Sequence, residues 1–83
     1  MLAYILINCV PKSEEDIISE ITKLSVVEVN GIMGKYDIFV KVTSENPEGI
    51  DSAIKKIRSI NGITSTYTMP VIYGQGGTID KES

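Results

Sequence analysis

The stretch with most chemical promise in this sequence is Gly31-Ile32-Met33-Gly34-Lys35-Tyr36-Asp37. Two glycines suit a tight turn with exposed backbone N–H groups, and such groups can meet a carboxylate. An aspartate at the start of the following strand can meet an ammonium through a charge-assisted hydrogen bond. Together they would suit a zwitterion. The same residues also suit a plain hairpin loop, in which the glycines supply positive φ and Asp37 bonds its own turn. Spacing alone leaves both readings open.

Elsewhere the chain offers little for catalysis. Nucleophilic chemistry needs a base beside the nucleophile, and there is no histidine. Cys9 is the only cysteine, and it sits in the most apolar strand, where burial raises a thiol pKa and makes it inert. No intramolecular disulfide or zinc site of the usual Cys/His type can form, and no metal or other cofactor is implied. Glu14, Glu15, Asp16 and Asp51 have a full explanation as residues of the first turns of helices.

The elements that must position the glycine-containing turn can be read from periodicity. Leu2 to Val10 is almost continuously apolar and predicts a central strand covered on both faces. Ser13 is the candidate N-cap of a first helix, Glu14 to Leu24, with Ile17, Ile18, Ile21 and Leu24 along one stripe. Val26, Val27 and Val29 begin a second strand, which the segment Asn30 to Gly34 interrupts. Tyr36 to Thr43 makes the third. Asn46 as N-cap with Pro47 at the first helical position starts a second helix, which Gly62 ends in a left-handed conformation. Ile63 to Tyr73 is the fourth strand, with Pro70 marking a bend or an edge. The chain divides into one domain, residues 1–73, and a tail, residues 74–83, that is mobile or docked on a partner.

The order βαββαβ predicts an α+β, ferredoxin-like fold: a four-stranded antiparallel sheet with two helices on one face. In the last strand Ile63, Tyr67 and Met69 should share one face, and Thr64, Thr66 and Thr68 the other. Phe39 and aliphatics of the first strand, set among threonines, would line the side the helices leave open. A partner sheet covers such a side better than water does.

Composition points the same way. At 83 residues and 42% hydrophobic, the chain holds more apolar side chain than so small a monomer hides easily. The net charge is −3, from 8 basic and 11 acidic residues. Lys55, Lys56 and Arg58 form the one basic cluster, read as a solvated helix face. No basic stripe exists for phosphates, so direct nucleic-acid binding is not expected. The apolar opening is too short to span a bilayer and carries no export signal, which makes the cytoplasm the default.

The pattern Gly34-x-Tyr36-Asp37 before an apolar strand, then a helix ending in Asn61-Gly62-Ile63, then Thr64 to Thr68, resembles the effector-binding domain of the Lrp/AsnC regulators. The resemblance runs from Leu2 to about Tyr73. Asn61 stands where that family often has proline. The resemblance implies a dimeric α+β barrel, paired through its sheets and able to assemble further. It implies a small-molecule effector, typically an amino acid, at Gly34, Tyr36, Asp37, Thr66 and Thr68. It also implies co-assembly with full-length, DNA-binding regulators, because the helix-turn-helix that precedes this domain in the family is not in this sequence. Two other functions share the topology: a small enzyme of the dimeric α+β barrel group, and an ACT-type amino-acid-binding domain.

Overall fold

Alternation along one strand decides the architecture. In the computed structural model of the protein, which describes residues 1–24, 26 and 28–72, β1 (Leu2–Cys9) buries Ala3, Ile5 and Ile7 and leaves its even-numbered residues and Cys9 half-buried. Ala3, Ile5 and Ile7 are all 0% exposed. β1 lies between β3 (Ile38–Thr43) and β4 (Ile63–Pro70), antiparallel to both, and β2 (Glu28–Gly31) completes the sheet beside β3. The strand order β2-β3-β1-β4 is the expected ferredoxin-like sheet.

Two helices, α1 (Glu14–Thr22) and α2 (Pro47–Arg58), cover one face. Ile17 and Ile21 of α1 and Ile50 and Ile57 of α2 pack onto Ala3, Ile5, Ile7, Ile38, Val40 and Val42 in a single core. Each such isoleucine or valine side chain contributes roughly 1.5–3 kcal/mol when fully removed from water. Among the described residues no polar or charged one is buried, so nothing in this core needs an internal partner.

The helices start by different means. Asn46 is extended, and its Oδ1 accepts from the Gly49 N–H at 3.0 Å, with Pro47 following, as the sequence predicts. Ser13 makes no side-chain cap bond; its hydroxyl turns back and donates to the Val10 carbonyl. Gly62 has φ +99°, and a Cβ there would meet the Ile17 Cδ1 at 3.2 Å, so the turn into β4 needs glycine.

Several boundaries differ from those read in the sequence. α1 ends at Thr22 rather than Leu24, which packs against the core outside the helix. β2 begins at Glu28 and keeps Asn30 and Gly31 in its ladder with β3, while Val26 lies outside it. Ser25 and Val27 fall outside the described residues. β3 begins at Ile38 because Tyr36 and Asp37 belong to the preceding loop. β4 ends at Pro70, although the Val71 N–H still donates to the Leu2 carbonyl at 2.8 Å. Tyr73 and the expected tail at 74–83 lie outside the described residues.

One face assignment changes. The β1–β4 register shifts between Asn8 and Cys9, so that Asn8 pairs with Ser65 but Cys9 with Ile63, and Thr64 is the extra residue of a bulge. The bulge turns Ile63 onto the core while Tyr67 and Met69 stay on the other face. That open face carries Tyr4, Leu6, Phe39, Tyr67 and Met69, with Tyr4 and Phe39 stacked at 5.5 Å. Thr66 and Thr68 lie opposite Ile7 and Ile5, on the helix side. Phe39 is therefore among aromatics and aliphatics, not among threonines.

Candidate functional site

The loop from Ile32 to Asp37 joins β2 to β3 and is closed by a bond from the Ile32 N–H to the Asp37 carbonyl at 2.9 Å. Gly34 has φ +131° with no atom within 4 Å of a notional Cβ, so backbone strain rather than space demands glycine there. Gly31 does not share that role. It sits in β2, where a Cβ would touch Ile18 at 3.6 Å. Met33 is 99% exposed at the loop's tip; Tyr36 and Asp37 are half-buried at its base.

Asp37 is not the free turn aspartate that an exposed loop would hold. Its N–H donates to the Ile7 carbonyl at 2.9 Å, and its Oδ2 accepts from the Cys9 N–H at 2.9 Å. The carboxylate thus pins the start of β3 to the end of β1, across strands rather than within its own turn. Its other oxygen has no hydrogen-bond partner among the described residues. An acceptor held at one oxygen and open at the other is well placed to take an ammonium.

Thr66 and Thr68 lie on the far side of β1. Ile7 is flanked by Asp37 on one side and by Thr66 on the other, which puts the two strands about 10 Å apart at two strand spacings. Gly34, Tyr36 and Asp37 share one loop; the two threonines, both half-buried, belong to a different rim of the same protomer. Within one chain the five residues do not converge on a single point.

Cys9 is half-buried beside Asp37. Burial, aided by the charges of Asp37 and Glu14 and opposed by a hydrogen bond with Ser13, pushes its thiol above the ordinary value. A thiol raised in this way carries less of the nucleophilic thiolate at neutral pH. Among the described residues no cluster of three or more potential metal ligands occurs, and no helix is long and apolar enough to cross a membrane.

A feature that periodicity did not reveal is an open cleft of about 430 Å³ at the β4 edge, lined by Arg58, Ile63, Thr64, Ser65 and Thr66. Arg58 reads in the sequence as part of a solvated helix face, and nothing local predicts the bulge at Thr64.

Comparison with known proteins matches residues 2–74 to the Lrp/AsnC ligand binding domain. The HTH-type transcriptional regulator FL11 of Pyrococcus horikoshii is 34% identical over 73 residues, 87% of this chain and 48% of that protein. A homocitrate synthase of Sulfurisphaera tokodaii is 41% identical over 54 residues, 60% of this chain but only 12% of that enzyme. Among solved structures, AsnC of E. coli superposes with TM-score 0.82 at 27% identity, covering 89% of this chain and 52% of that one. The hypothetical protein PHS023 of Pyrococcus horikoshii gives TM-score 0.80 at 28% identity, covering 93% and 95%. The chain spans about half the length of the curated regulators it matches. With motif order, strand order and these matches in agreement, the chain belongs to the Lrp/AsnC ligand-binding domain family.

Proposed function

We propose that this domain senses a small molecule, an amino acid or a close relative, and passes the signal on through assembly rather than through chemistry. The observation that carries the reading is the half-buried Asp37 carboxylate, fixed by the Cys9 N–H at one oxygen and open at the other, beside the Gly34 turn. An amino acid's ammonium would meet Asp37, and its carboxylate the loop's backbone N–H groups. Thr66 and Thr68 would complete the site from another protomer, since the two rims of one chain lie apart. The open sheet face supports assembly: Tyr67 is 55% exposed beside Tyr4, Leu6, Phe39 and Met69. A second copy would cover it, and full-length regulators carrying the same domain could co-assemble in the cytoplasm. Duplex DNA is not expected to bind this acidic chain directly. The matched 54 residues of homocitrate synthase are too small a share of that protein to carry its activity over.

Because Asp37 also holds a backbone N–H, replacing it with alanine would confound folding with binding. Asp37→Asn keeps an acceptor for Cys9 and removes the charge. In calorimetry with the common amino acids, Asp37→Asn should bind at least about tenfold more weakly than wild type, the loss of a charge-assisted bond in a desolvated site. Equal affinity of the two proteins would refute the site.

A further inference from the structure

The end of α2 carries Lys55, Lys56 and Arg58, all exposed, in a chain of net charge −3. Basic residues in a last turn often do no more than complement the helix's negative end. Here that end is already closed. The Ser59 N–H donates to the carbonyls of Lys55 and Lys56, the Ser59 hydroxyl donates to Lys56, and the Ile60 N–H donates to Ile57. Arg58 has no ion-pair partner among the described residues, and of the three cations it alone lines the cleft at the β4 edge.

The rest of that lining has the same preference. Thr64 and Thr66 add hydroxyls, Ile63 and Ser65 add no carboxylate, and the Ser65 Oγ accepts from Asn8 Nδ2 at 3.3 Å. The Val71 N–H bonds to Leu2, so in this antiparallel pair Met69, Tyr67 and Ser65 also turn their backbone groups towards β1. Thr66 and Thr68 therefore turn theirs outward, to the unpaired edge of the sheet. Pro70, with no N–H, ends that row of donors. A guanidinium, an outward backbone N–H and threonine hydroxyls around one cleft form a donor-rich site with no fixed negative charge.

We infer that this cleft takes the oxyanion of a small molecule, a carboxylate or a phosphate, with Arg58 as the charge that selects it. The inference rests on the effector-sensing reading and names the chemical class of the effector: an acidic one. Arg58 offers a planar fork of donors matched to either oxyanion, and Thr66 offers a donor from the strand. The cleft's volume lies within the range typical of small-molecule sites.

The test uses the full chain in its native assembly, with calorimetry and amide shifts of isotope-labelled protein. The probes are glutamate, glutarate, inorganic phosphate, leucine and lysine. Glutamate or glutarate should bind and move the amides of Thr64 to Thr66. Arg58→Gln should weaken that binding at least about tenfold. Lys55→Gln, the same change of net charge outside the cleft, should leave it within about twofold. Binding of phosphate in place of the dicarboxylates, with the same dependence on Arg58, assigns a phosphate-bearing ligand. Two results would overturn the inference: leucine or lysine binding as tightly as the acids, or Arg58→Gln binding unchanged. A neutral amino acid that binds through Asp37 and ignores Arg58 defeats this inference but leaves effector sensing intact. If no probe binds, this inference falls, and effector sensing is decided by the screen of the common amino acids on wild type and Asp37→Asn.

Discussion

The two faces of the sheet are built from the same strands and differ in what they require. On β1 the odd-numbered Ala3, Ile5 and Ile7 vanish beneath the helices, while Leu2, Tyr4 and Leu6, just as apolar, remain half-buried. The first face is completed by folding alone. The second carries a stacked Tyr4–Phe39 pair and an exposed Tyr67, and has no covering element among the described residues. Hydrophobic content therefore divides into a part that holds the protomer together and a part that the proposed assembly would cover.

Substitution on each face is the most direct way to break this division. Ile5→Ala removes a fully buried side chain at the centre of the sheet and should cost about 2–5 kcal/mol. That is a large share of the 5–15 kcal/mol typical of a whole domain. Denaturant titration should show the loss at every protein concentration. Leu6→Ala, one residue away, should act mainly through assembly, so its effect should shrink as protein concentration rises. If both variants lost stability equally and independently of concentration, the two faces would not differ as argued.

A charge on the open face gives the next largest effect. Tyr67→Glu places a carboxylate on an exposed position opposite Leu6, so the protomer should fold but should not pair. Light scattering should give an oligomer for wild type and a mass near 9.1 kDa for the variant. A wild type that is already monomeric at micromolar concentration would remove the need for a partner on that face.

How far the sequence revealed this arrangement depended on whether a signal was local. Asn46-Pro47 and Gly62 could be read because a cap and a left-handed turn are decided within a few residues. The four-stranded antiparallel sheet with both helices on one face followed from connection rules, and the family resemblance from short motifs in sequence. The faces of β4 could not be read so simply, because a bulge at Thr64 resets the alternation and turns Ile63 inward, away from Tyr67 and Met69. Ser13 looked like a cap, yet its hydroxyl found the Val10 carbonyl instead. At the candidate site, the loop itself was visible, whereas the bond from Cys9 to Asp37 joins residues 28 apart and has no local signature. Arg58 was seen as a charge but not as part of a cleft, since Thr64 to Thr66 reach it only through the fold.

The smallest effect sharpens the comparison from the helix side. The covered face exists only while both helices stay seated, and they are anchored at their starts with different strength. Asn46→Ala removes the Oδ1 that accepts from the Gly49 N–H and should lower stability by about 1 kcal/mol. Ser13→Ala removes no cap bond, so its cost should be distinctly smaller, that of one exposed bond to Val10. Gly49 must be left unchanged in such a series, since a Cβ there would fall 1.9 Å from the Ser44 Oγ. Equilibrium unfolding at a fixed protein concentration separates the two variants, and amide exchange along each helix locates the loss. Exchange in α2 should quicken in Asn46→Ala while α1 is spared. Equal costs for the two substitutions would show that the first turn of α1 depends on Ser13 as much as α2 does on its cap, and that the helix layer is anchored evenly.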